Sequence, residues 1–193
     1  MCGRYYYADK TAKAVEIELQ LPYGTLILPA GDIVPGKAAI ALLLGKETAD
    51  IKVCDLHWGL TTKDKKLVIN ARAESVLEKP MFSESIKSRR CILPAGGFYE
   101  WNRDKTKYTF TSKDGNPLYL AGFYDMSDNR DSFVILTTEA NSSMSPVHDR
   151  MPVIIDKKNV REYLCESSAA LDMIKEKMPE LDRTCDYEQL SLF

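Results

Sequence analysis

A cysteine stands second in the chain, in Met1-Cys2-Gly3-Arg4-Tyr5. Removal of Met1 would leave it with a free α-amine beside its thiol, a pairing no internal cysteine has. The amine condenses with an aldehyde to an imine, and the thiol then adds to the same carbon, closing a five-membered thiazolidine. An α-amine titrates at about 7.7 to 8 and a cysteine thiol at about 8.5, so modest shifts bring both into use near neutrality. Three more polar segments interrupt apolar runs. Asn70-Ala71-Arg72-Ala73-Glu74 sets an amide, a guanidinium and a carboxylate at every second position, on one face of an extended segment. It reads equally as a strand end turned to water. Ala95-Gly96-Gly97-Phe98-Tyr99-Glu100-Trp101 places a carboxylate between aromatics, where desolvation favours a general acid/base; a rim carboxylate paired with Arg or Lys is the plainer reading. Ser145-Pro146-Val147-His148-Asp149-Arg150-Met151-Pro152 carries one of only two histidines in a loop, either a proton carrier or an inert loop residue.

These segments need a frame to converge. Ala12, Val15 and Leu19 share a helical face after Asp9, the expected N-cap. Short apolar runs at 38–44, 51–58, 67–69, 91–93, 108–111, 118–122, 132–138 and 152–155 read as strands, and Asp114-Gly115 signals a hairpin between two of them. A short helix is expected within 80–88. Asp156 caps a helix over 157–165, and a further helix over 168–178 ends at Pro179. Many short strands with helices at the ends predict an α+β fold, a curved, mostly antiparallel β-sheet or barrel core with peripheral helices.

With 193 residues, a single domain over 1–193 is expected, with a tail at 186–193. No run approaches the roughly 20 apolar residues of a membrane span and no basic-then-apolar leader opens the chain, so a cytoplasmic protein is expected. The five cysteines are widely spaced, giving neither a disulfide framework nor a metal-binding pair; no metal and no cofactor are expected. A net charge of -2 argues against bulk attraction to nucleic acid and leaves room for a local arginine patch, since arginine binds phosphate bidentately.

Together with Trp58-Gly59, Arg89-Arg90-Cys91, Leu136-Thr137-Thr138 and Ala140-Asn141, these segments match one family in order and spacing. Over about residues 1–155 the chain resembles the SOS response-associated peptidase (SRAP) family, whose members crosslink to abasic sites in single-stranded DNA. The resemblance implies Cys2 as the covalent nucleophile, Glu100 and His148 as proton carriers, and Asn70 as the group orienting the terminus or the sugar. It implies DNA contacts from Arg4, Arg72, Arg150, Trp58, Trp101 and the loop at Pro35, with Arg89 and Arg90 as weaker candidates. The partner so implied is single-stranded DNA with abasic sites, bound by a monomer. Around Pro35 and after Trp58-Gly59 the chain departs from many relatives, which bears on DNA wedging and not on the chemistry.

Two rival readings share these residues. Cys2 and His148, with Asn70 as orienter, also suit a cysteine peptidase, including one that acts only on its own terminus. A passive single-stranded-DNA module would need the arginines and not Cys2. Separately, Gln189-Leu190-Ser191-Leu192-Phe193 resembles the peptide by which bacterial repair proteins dock on the replication sliding clamp, with Leu192 and Phe193 as anchors. It reads as readily as a final strand on the protein's own core.

Overall fold

The computed structural model describes residues 2–45, 50–126 and 131–185. Strands are numbered in chain order, and they form two main sheets. The first runs β14 (Leu181–Cys185), β10 (Lys107–Ser112), β9 (Gly97–Trp101), β1 (Tyr5–Tyr7), β2 (Gly31–Ile33), antiparallel throughout. The second runs β11 (Leu118–Asp125), β8 (Arg90–Ala95), β3 (Ala38–Leu44), β4 (Ile51–Trp58), β12 (Ser132–Glu139), β13 (Arg150–Pro152). Here β11 also pairs with β12, so the pairing path returns on itself. β7 (Asn70–Arg72) joins β12 in parallel, as does β4, and β5 (Leu60–Thr61) with β6 (Leu67–Val68) forms a small ladder between them in sequence. The fold is α+β, mostly antiparallel, with short helices at its edges.

Most of the apolar runs that read as strands form the second sheet, while 108–111 falls in β10 of the first sheet and 67–68 in the β5–β6 ladder; the second sheet's inner faces carry the core. Leu42, Leu56, Ile92, Leu93, Phe123 and Phe133 are buried there. Burial on both faces explains why β8, β11 and β12 read as near-continuous apolar stretches instead of alternating ones. The first sheet adds Tyr5, Phe98 and Phe110, with the two phenylalanine rings stacked at 5.1 Å.

Several expectations shift. α1 spans Thr11–Leu19 with Lys10 at the cap position; Asp9 caps nothing there, and Thr11 Oγ1 instead accepts from Ala8 N at 3.0 Å. Asp114-Gly115 does turn the chain, with Gly115 at φ 72° and Asp114 Oδ1 accepting from Asn116 N. It closes no hairpin, because β10 and β11 belong to different sheets. Pro117, without an N–H, cannot extend a ladder out of that turn. α2 is Ser83–Ser88. Asp156 accepts from Lys158 N, opening a 3₁₀ turn at Lys157–Asn159 that leads into α3 (Val160–Cys165). α4 (Ser167–Met173) stops short of Pro179, and Met178 in the following segment is 6% exposed with its sulfur 3.1 Å from Ile154 N. Among the described residues no helix is long and apolar enough to cross a membrane. The tail residues Gln189, Leu190, Leu192 and Phe193 lie outside the described residues.

Candidate active site

Cys2 is fully buried just before β1, and two neighbours fix its surroundings. Asn70, the first residue of β7, donates from Nδ2 to the Cys2 carbonyl at 3.0 Å, tying the second sheet to the amino terminus. The side-chain amide oxygen of Asn70, Oδ1, is buried and has no hydrogen-bond partner among the described residues. Glu100, on β9, is 6% exposed, and its Oε1 accepts from Trp101 N at 3.3 Å. The chain end runs antiparallel to β9, with Tyr99 N donating to Arg4 O at 2.9 Å, which sets Glu100 beside Cys2. Burial, and then the negative charge of Glu100, push the Cys2 thiol up to about 12, so at neutral pH it is protonated. A thiol held in this way is a poor first nucleophile.

His148 approaches from another side. It lines a cleft of about 720 Å³ together with Trp101, Arg103, Asp104, Pro146 and Asp149. Its Nδ1 lies 3.0 Å from Arg150 N and 2.8 Å from Asp149 Oδ1. In the neutral ring, Nδ1 accepts from the backbone and Nε2 carries the proton; in the charged ring, Nδ1 donates to Asp149. The ring can therefore gain or lose a proton while keeping a partner at Nδ1.

The remaining DNA candidates separate. Arg72 is exposed, and Pro35 is half-buried in the turn after β2. Arg4 sits at the rim, 3.4 Å from Asp32, with its guanidinium 5.5 Å from the centre of the half-buried Trp101 ring. Trp58 is not a surface residue: it is 0% exposed, stacked on Phe133 at 6.0 Å, and its indole N–H donates to Ile69 O at 2.9 Å. It holds the backbone just ahead of Asn70 from within and cannot offer its ring to a base. Arg150 is 9% exposed and forms a bidentate pair with Glu74 at 2.9 and 2.8 Å while donating to Thr137 O at 2.7 Å. Its guanidinium clamps the His148 turn to the Asn70 segment, and phosphate would have to displace Glu74 to reach it. Arg89 is held by Ser85, Tyr124 and Asp125, and Arg90 is buried among helix ends.

Glu74 was visible only as one member of a polar segment, and no single segment could show that it pairs with Arg150. The Arg150 hydrogen bonds hold its carboxyl at about 2, below the ordinary 4.5. A depressed folded pKa gives stability above the unfolded value that is lost as pH falls toward the folded one. Glu74→Gln is therefore expected to lower stability near neutrality and to flatten its loss between about pH 4.5 and 2. Denaturant midpoints across that range check this; parallel curves for the two proteins would contradict it.

An α+β frame ties a buried second-residue cysteine to an amide, within the field of a carboxylate whose neighbour on β9 walls the cleft that holds an imidazole, and a family model identifies the class of protein this defines. The model described as SOS response associated peptidase (SRAP) matches residues 1–190, and the chain belongs to that family. It is 32% identical over 200 residues to the abasic site processing protein YoqW of Bacillus subtilis, covering 94% of this chain and 88% of that one. It is 26% identical over 178 residues to the abasic site processing protein YedK of Escherichia coli, covering 85% and 79%. Similarity also reaches the abasic site processing protein HMCES of Xenopus tropicalis, 28% identical over 146 residues, covering 56% and 44%. Among solved structures, a phage-related protein of Bordetella bronchiseptica superposes with a TM-score of 0.79 at 24% identity, covering 96% and 94%, a likeness of fold.

Proposed function

We propose that this protein is a covalent sensor of abasic sites in single-stranded DNA, and that removal of Met1 arms it. The freed Cys2 nitrogen attacks C1′ of the open-chain aldehyde, and loss of water leaves an imine. The Cys2 sulfur then adds to that carbon, its proton passing to the nitrogen, and a thiazolidine joins protein to DNA. His148 shuttles the proton that opens the sugar hemiacetal. Glu100 holds the ammonium and takes its proton as the amine attacks. Asn70 Oδ1, without a partner among the described residues, accepts from the freed amine or a sugar hydroxyl. Holding the reactants in one place is worth as much as about 7–11 kcal/mol in the best-oriented cases. Arg4 and Arg72 grip flanking phosphates, and Trp101 stacks an unpaired base.

The observation that carries this reading is the full burial of Cys2 on the Asn70 amide: burial first, and then the charge of Glu100, disfavour the thiolate, which favours the α-amine as the first nucleophile. The same burial weighs against a thiol–imidazole peptidase, which needs a thiolate; His148 is moreover turned through Nδ1 toward Asp149 and Arg150 N. The names of the relatives support the substrate, since each speaks of abasic-site processing. Intact-mass measurement after incubation with an abasic oligonucleotide is expected to give an adduct equal to the sum of both molecules less one water, formed only by protein lacking Met1. An adduct on protein retaining Met1, or none on the processed protein, would refute the proposal.

A further inference from the structure

β9 alternates cleanly between two sides of the first sheet. Phe98 and its partners Tyr5 and Phe110 are fully buried, so Tyr99 and Trp101, with Tyr6 of β1 and Lys107 and Thr109 of β10, project from the opposite face. That face carries a run of three aromatic rings, with Tyr99 and Trp101 tilted 57° to each other. Tyr6 and Tyr99 stack at 5.2 Å with 27° between their planes, and the Tyr99 and Trp101 rings are 6.5 Å apart. Tyr6 crosses its neighbouring strand over Gly97, where a Cβ would come within 2.6 Å of the Tyr6 hydroxyl. A side chain at 97 would lift that ring off the sheet. Cations sit over the array: Lys107 Nζ lies 5.0 Å from the Tyr99 ring centre and Arg4 lies 5.5 Å from that of Trp101. Trp101 also walls the cleft that holds His148, so the array continues outward from the site's edge.

We propose that Tyr6, Tyr99 and Lys107 extend the site as a base-stacking platform for the unpaired nucleotides flanking the lesion. This rests on the reading of the protein as one that binds single-stranded DNA. Every base has a π-face, so aromatic side chains bind a strand without regard to sequence, and the ammonium and guanidinium groups lying over these rings swing out to meet its phosphates. A platform two or three rings wide holds the strand as it leaves the cleft, on the face of β9 opposite to that of Glu100.

The test uses the full-length, processed protein. Affinity for an undamaged oligothymidine dodecamer is measured by fluorescence anisotropy, and single-turnover crosslinking is measured on an abasic dodecamer and on an abasic trinucleotide too short to reach the platform. Tyr99→Leu is expected to weaken dodecamer binding about tenfold, Tyr99→Phe to restore most of it, and Lys107→Gln to weaken binding and reduce the salt slope by about one. Crosslinking of the trinucleotide is expected to keep its wild-type rate in all three, which also shows that the variants fold. Unchanged dodecamer affinity in Tyr99→Leu and Tyr6→Leu overturns the platform. Equal losses on trinucleotide and dodecamer overturn it too, because they place Tyr99 at the reacting centre. Failure of even wild-type protein to crosslink either abasic substrate refutes the crosslinking proposal instead, and the undamaged dodecamer still reports on the platform.

Discussion

Cys2→Ala is expected to abolish the heat-stable adduct with an abasic oligonucleotide, a loss of at least about a hundredfold measured on a denaturing gel. The variant keeps its α-amine once Met1 is removed, so the first half of the reaction survives. It forms an imine, and with no sulfur to add to that carbon the imine hydrolyses back. Borohydride in the incubation should therefore recover a crosslink from Cys2→Ala by reducing the imine to an amine. Cys2→Ser should behave similarly, since an alkoxy ring closes less favourably and reopens. The burial of the Cys2 thiol beside Glu100 gives this experiment its direction: a sulfur held protonated acts second, trapping what the nitrogen has made. Heat-stable adduct from Cys2→Ala at the wild-type level would remove sulfur from the mechanism, and failure of borohydride to trap anything would remove the imine.

The sequence made the second sheet legible because β4, β8, β11 and β12 are apolar enough to announce themselves, and the first sheet is where it misled. β1 and β9 coincide with polar segments that also carry the candidate chemistry, so their strand character was masked by the residues of the candidate site. β14, Leu181-Asp182-Arg183-Thr184-Cys185, is an edge strand with a single buried apolar anchor and no run to detect. The polar segments did point to one another: Cys2, Asn70 and Glu100 converge, and His148 lines the adjoining cleft. The facing of large side chains was not readable. Trp58 and Trp101 each stand at a strand end, and nothing local says that Trp58 points between the sheets while Trp101 points to the cleft. Arg150 went the same way, because its partner Glu74 lies 76 residues distant, too far for any motif to pair them.

Arg90 makes that lesson measurable. It follows Arg89 in a basic pair that ranks as a weaker candidate for DNA contact, and it is 5% exposed with its guanidinium hydrogen-bonded to protein. Its guanidinium reaches Ile86 O and Lys87 O in the last turn of α2 and Tyr163 O and Leu164 O in the last turn of α3. It also meets Ser167 Oγ at the start of α4. Helix C-termini present unsatisfied carbonyls and partial negative charge, so one cation here staples three helices to β8. Arg90→Met keeps the apolar stem and removes every donor, leaving a cluster of buried carbonyls that have no water to turn to. Each buried acceptor left without a partner costs about 1–3 kcal/mol, partly relieved where a helix end reaches solvent. A total loss of about 3–4 kcal/mol is expected, a fall in Tm of roughly 6–16 °C for a chain of this size. Below its melting point the variant should bind an undamaged single strand within about twofold of wild type, since the removed charge faces inward. A melting curve left in place together with weakened DNA binding would instead put Arg90 on the nucleic-acid surface, against every hydrogen bond it makes.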